Sequence, residues 1–218
     1  MTGILKSTLL ITFLIFLPAC YAQQSTMQQK DSLEFSNKIV PDVIWREAYV
    51  ALSHYPELKD TPIEIRFKSN IKKSFMQAQP KISGLFKNRK NRSYLIFINE
   101  KFKIEDEVFD VSSVPSDVLV GWIGHELGHI MDYRDRSAFG LVWFGLKYIT
   151  SKNYIREAER AADTYAVNHG LGEKIIATKD FILNHSKLSE TYKNRIQDLY
   201  LSQEEIMVLI DEIHEEIN

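Results

Sequence analysis

The chain has 218 residues, 44% of them apolar and 26% charged, with a formal net charge of −2. That length supports one domain with a sizeable core, and the balance excludes a disordered chain. Near-neutral charge without a basic stripe excludes an electrostatic nucleic-acid binder, so no nucleic-acid partner is expected.

Residues 1–22 read as an export signal. Lys6 supplies the positive charge, Ser7–Leu17 an apolar run too short to span a bilayer, and Pro18-Ala19-Cys20-Tyr21-Ala22 the cleavage region. Cleavage after Ala22 fits a small-x-small rule. Alternatively, Leu17-Pro18-Ala19-Cys20 has the form of a lipobox, and Cys20 then carries a lipid. Both routes export the protein, to the periplasm or the outer membrane of a bacterium. Cys20 is the only cysteine, so no intrachain disulfide and no cysteine-bound metal site can form. The polar, glutamine-rich residues 23–36 read as a tether, and 37–218 as the folded domain.

Within that domain, Val40–Tyr55 has helical spacing, with Pro41 near its start. Ile63–Phe67 alternates apolar and polar residues, as a half-buried strand should. Ser74–Gln79 is a weaker strand, Lys81–Arg92 a basic loop or hairpin, and Tyr94–Ile98 the strongest strand. Lys101–Val114 reads as charged and irregular. Pro115-Ser116-Asp117 opens a helix, capped by Ser116 or Asp117, that runs to about Tyr133. Phe139–Ile149 is apolar and aromatic, either a buried hairpin or a patch that touches membrane or substrate. Asn153–His169 is a helix stopped by Gly170. Glu173–Asn184, Ser189–Leu201 and Gln203–Ile217 make the C-terminal half helical. The expected class is α+β, a small mixed or antiparallel sheet packed on one long helix.

His125-Glu126-Leu127-Gly128-His129 on that helix is an HExxH motif. Residues i and i+4 share a helix face, so both imidazoles can address one ion while Glu126 reaches a water beside it. Two neutral nitrogens, an open coordination position and a carboxylate base are what zinc-assisted hydrolysis needs. A third ligand is required, and Glu159 is the best placed. Asp163, four residues on, shares its face and can bond the free ring nitrogen of a ligand histidine. Ala158, Ala161, Ala162 and Ala166 surround that pair, and Gly121, Gly124 and Gly128 lie beside the histidines. Small residues on both helices allow the close approach a shared ion demands.

Each feature has a plainer reading. A short HExxH occurs by chance on amphipathic helices, and most helical glutamates are solvated. Their coincidence with the acid pair and the small faces favours the metal. Glu157 and His169 stand as alternative third ligands. Arg134, Tyr165 and His169 are candidate donors to an oxyanion. Asp132 is read as holding the helix end.

His125-Glu-Leu-Gly-His129 followed by Glu159-Arg-Ala-Ala-Asp163 resembles the gluzincin metallopeptidases, most of all the minigluzincins and small HtpX-like peptidases. The resemblance covers roughly Ile63–Gly170. It implies a zincin-like fold in which an edge strand borders the cleft and pairs with an extended peptide. By order, that strand is Tyr94–Asn99, with Tyr94, Ile96, Ile98 and Asn99 along it. It also implies Zn2+ on His125, His129 and Glu159, with Glu126 as general base and Asp163 supporting a histidine. The short gap between His129 and Glu159 leaves no room for large inserts, and the helices after Glu173 have no counterpart in the family. The function expected is a zinc-dependent endopeptidase acting on peptides or unfolded proteins outside the cytoplasm. The alternative is a non-catalytic or latent binding or chaperone-like module, against which the intact Glu126 speaks. Membrane contact would be peripheral, through a lipidated Cys20 or Phe139–Ile149.

Overall fold

The computed structural model describes residues 35–69, 71, 74–99, 101–104, 107–184 and 189–217. The chain divides into Met1–Ser36 and Asn37–Asn218, and the second unit carries the fold. The export signal and most of the tether lie outside the described residues.

Four strands form one sheet: β1 (Lys38–Ile39), β2 (Ile63–Phe67), β3 (Met76–Pro80) and β4 (Tyr94–Ile98), in the order β1-β2-β4-β3. β1, β2 and β4 run parallel, whereas β3 is antiparallel to β4. The class is α+β and the sheet is mixed. β4 reads as a nearly continuous apolar run because both of its edges are paired and it sits inside the sheet. The stretch expected to be irregular contains a hairpin, β5 (Lys101–Ile104) against β6 (Glu107–Asp110). Lys-Phe-Lys-Ile does alternate with period two, which its charge conceals, whereas Glu-Val-Phe-Asp places two apolar residues side by side and gives no such signal.

Among the described residues, the helices are α1 (Trp45–Ser53), α2 (Ser116–Asp135), α3 (Ala138–Thr150), α4 (Lys152–Ala166), α5 (Gly172–Leu183), α6 (Glu190–Leu199) and α7 (Gln203–Ile217). α1 is shorter than expected, since a 3-10 turn occupies Asp42–Ile44. Pro115 takes the N-cap position of α2 without a side-chain cap, and the Ser116 hydroxyl donates to Glu47 at 2.8 Å instead.

The segment expected as a buried hairpin is α3. Ser137 caps it by accepting from the Gly140 N–H at 3.0 Å, and Leu141 and Phe144 bury one face at helical spacing. Between α4 and α5 a π segment, Val167–Leu171, contains Gly170 at φ 75, a left-handed turn that suits glycine. No helix among the described residues is long and apolar enough to cross a membrane.

α2 is the axis of the core. It packs against α1, α4, α5 and β3, and Ile123, Leu127 and Ile130 on it are fully buried. Two glycines permit that density. A Cβ on Gly121 would lie 2.3 Å from the Lys174 carbonyl oxygen, and one on Gly128 would lie 2.4 Å from that of Ala162. The α2–α4 crossing is therefore a backbone contact, and it sets the two polar faces side by side.

Candidate metal centre

α2 contributes His125, Glu126 and His129, and α4 contributes Glu159 and Asp163. All five are buried. His125 Nε2 lies 3.1 Å from Glu159 Oε2, and His129 Nε2 lies 3.5 Å from the same oxygen. The three side chains offer one donor atom each within 4.8 Å of one another, so the group could hold a metal ion. A tetrahedral ion with bonds of about 2 Å needs its ligand atoms about 3.3 Å apart, close to the two distances observed. The chemistry of the donor set, two imidazole nitrogens and a carboxylate, suits such an ion.

The two imidazoles are held differently. His125 Nδ1 bonds Asp163 Oδ1 at 2.9 Å, and Asp163 Oδ2 accepts from Lys179 Nζ at 2.9 Å and from the Leu201 N–H at 3.0 Å. That network fixes the ring and leaves Nε2 facing Glu159. His129 Nδ1, by contrast, is buried without a partner among the described residues. Its ring is held by stacking on Tyr133, 5.9 Å between centroids.

The field at the site favours a cation. Burial opposes a charge on His125, yet Asp163 and Glu159 outweigh it and hold the ring up to about 10. Burial pushes Glu159 upward, but His129 and His125 prevail and keep it well below the usual carboxylate range. Asp163 is likewise lowered, because Lys179 and His125 overcome its burial. Glu126 goes the other way. Burial raises it, only partly opposed by His129 and His125. One buried carboxyl is thus shifted upward beside two carboxylates shifted downward.

A cavity of about 670 Å³ opens onto these groups, walled on one side by β3 and α3. Phe75 O accepts from Asn99 N–H, and Lys81 N–H donates to Ser93 O. Backbone pairing alternates along an antiparallel strand, so Met76 and Ala78 turn their backbone groups away from β4. Ala78 N–H donates to Glu126 Oε2 at 2.6 Å, and Tyr133 OH reaches Ala78 O at 3.5 Å. The edge strand at the cleft is thus Met76–Pro80.

That corrects the expectation for Tyr94–Asn99. This strand lies between β2 and β3 and has no free edge, and Tyr94, Ile96 and Ile98 are fully buried. Asn99 spends its side chain on the backbone of Ile71 and Ser74. The pattern that made it the strongest strand is that of an inner strand, whereas polar residues and a proline mark the edge.

Three expected oxyanion donors also lie elsewhere, since none of them lines the cavity. Arg134 bonds Glu57 O at 2.8 Å. His169 stacks on Tyr55 at 4.2 Å, with Nδ1 2.7 Å from Tyr165 O. Tyr165 follows Glu159 by six residues, about 240° round the helix, so it faces away. Neither alternative third ligand joins the cluster, for Glu157 is exposed and His169 is occupied with Glu57 and Tyr165.

Among the donors that do line the cavity, Tyr148 bonds Glu159 Oε1 through its hydroxyl. Burial, then the charge of Glu159, raise its pKa, so it keeps its proton. Leu141, Phe144 and Tyr148 recur at three- and four-residue spacing, a signal visible only once the segment is taken as a helix. Lys179 had no such signal, because a lone lysine on an amphipathic helix reads as solvated. Asp132 ties down the end of α2 through Arg136, at 2.9 and 3.1 Å. No family model, curated protein or solved structure matches the chain.

Proposed function

We propose that the protein is a zinc-dependent endopeptidase of the gluzincin type, with a zincin-like seating of sheet on active-site helix, acting on peptides or unfolded proteins outside the cytoplasm. One observation carries the reading: Glu126 stands between three buried, converging donors and an edge strand, whose Ala78 N–H donates to it.

His125 Nε2, His129 Nε2 and Glu159 would hold the ion, with Asp163 and Lys179 fixing His125. Zinc bound there supplies Lewis acidity, which polarises a carbonyl and makes a water acidic near neutral pH. An extended substrate adds as a strand along Met76–Pro80, using the backbone groups of Met76 and Ala78. Glu126 accepts the proton of the attacking water and delivers it to the leaving amine. It must exchange its bond from Ala78 for one from that water, and its raised pKa suits it to return the proton. Tyr148, giving up its bond to Glu159, donates its one hydrogen bond to the oxygen on which charge develops.

The test is metal content and cleavage measured together. Purified protein carries about one zinc per chain, as a single three-ligand site requires. Glu159→Ala loses the zinc, and Glu126→Gln keeps it but no longer cleaves an unfolded protein. Zinc in the wild type without any cleavage leaves the binding module, and no zinc at all removes the peptidase reading.

A further inference from the structure

α3 is an apolar helix covered on one face only. Its inner face carries Leu141, Phe144 and Tyr148 toward the cleft. Its outer face leaves Phe139 81%, Trp143 51% and Ile149 79% exposed, with Val142 and Leu146 half-exposed between them. Beside the same cavity, the loop 81–92 exposes Ile82 at 81% and Phe86 at 82%. Ile82 and Leu85 from the loop, and Val142 and Ile149 from α3, all border that one cavity. Arg92 links the two elements, donating from Nη1 to Arg136 O at 2.6 Å just before α3 begins. Two uncovered apolar elements therefore flank one cleft mouth.

Their charge is one-sided. Neither 81–92 nor 138–150 contains an acid, although the chain as a whole carries a formal −2. Lys81 pairs with Glu64 and Arg92 is buried, but Lys87, Arg89 and Lys90 are exposed. Lys147 extends over the Trp143 ring at 5.5 Å. Apolar side chains interleaved with cations suit an interface that is apolar beneath and anionic above. Two copies of this face would set like charges against each other, which disfavours self-association.

We propose that this face docks the protein on a bilayer surface rich in anionic lipid. Phe139, Trp143, Ile149 and Phe86 enter the boundary between headgroups and acyl chains, while Lys87, Arg89 and Lys90 meet the phosphates. The mouth of the cleft then opens beside the membrane. The proposal goes beyond the hydrolytic reading and does not depend on it, because docking is read without turnover.

The full chain is mixed with phosphatidylglycerol–phosphatidylcholine vesicles carrying brominated acyl chains, and tryptophan quenching is recorded. The reporter is local, so binding through the apolar run at Ser7–Leu17 does not imitate it. The measurement is made in a Trp45→Phe background, because Trp45 is half-buried on α1; quenching is expected there and should largely vanish when Trp143→Phe is added, since Trp122 is 8% exposed. Lys87→Glu with Lys90→Glu should raise the lipid concentration for half-quenching about tenfold or more, and added salt should act in the same direction. Quenching of Trp143 to the same extent by pure phosphatidylcholine overturns the proposal. So does an unquenched Trp143, or a Trp143 emission shift that follows protein concentration without vesicles, which would mark self-association.

Discussion

The wall of the cleft made by α2 and α4 is packed backbone against backbone, whereas in the wall made by β3 and α3 the strand edge meets only side chains and apolar side chains stand uncovered. On the first wall, Gly128 meets the Ala162 carbonyl, and the two Asp163 oxygens have three partners between them. On the second, the backbone of Met76 and Ala78 faces the cavity and Phe139 stands 81% exposed. A metal site tolerates little error in ligand position, so its supports are over-determined. A surface that adds a strand or meets a lipid must hold its groups in contacts that can be exchanged, as the Ala78 N–H is held by the Glu126 side chain, or leave them exposed until the partner arrives.

Glu126 sits where the walls meet, on α2 but bonded to β3. Glu126→Gln is expected to lower hydrolysis by about 10²–10⁴-fold, the usual worth of a positioned base, while zinc content is unchanged. A variant that loses zinc as well would place Glu126 among the structural supports of the first wall and break the division.

The next effect belongs to the first wall alone. Asp163→Asn should weaken zinc binding about 10–100-fold, read by competition with a chromophoric chelator. It also leaves Lys179, 5% exposed, with a weaker partner, so stability should fall together with affinity. In the same site, affinity should depend on pH. His125 is held up to about 10 in the metal-free protein, and it ligates only when neutral. Below that value binding expels a proton, so affinity falls as pH falls, by up to about tenfold per unit. Calorimetry in buffers of different ionisation enthalpy measures that proton, and a buffer-independent heat would show that His125 is already neutral.

The two walls were not equally legible in the sequence. The α2–α4 wall is built from side chains at fixed helical offsets, and HExxH, the Glu159–Asp163 pair and the glycines and alanines all report it. The other wall is defined by what is missing. An edge strand is recognised by a neighbour it lacks, and Met76-Gln77-Ala78-Gln79-Pro80 looks weak for that very reason, while the inner Tyr94–Ile98 looks strong. Tyr148 was hidden because an apolar run without polar punctuation fits hairpin and helix alike until Ser137 is seen to cap it. Lys179 and the Leu201 N–H come from elements remote in sequence, and only tertiary packing brings them to Asp163.

One substitution made in both walls sharpens the contrast. On α2, Gly128→Ala puts a methyl group 2.4 Å from the Ala162 carbonyl oxygen, and backbone cannot step aside as a side chain can. The helices must part, at a cost of about 1–3 kcal/mol in urea unfolding, with weaker zinc binding as the ligand faces separate. On α3, a methyl group at Gly145 meets nothing within 4 Å. Only the intrinsic preference of a helix for alanine over glycine acts there, so Gly145→Ala should stabilise the fold by about 0.5–1 kcal/mol. Zinc affinity should not change, because the new methyl group touches none of the ligands or their supports. If Gly145→Ala destabilised instead, α3 would have to be covered by something at that position, and the second wall would be as closed as the first.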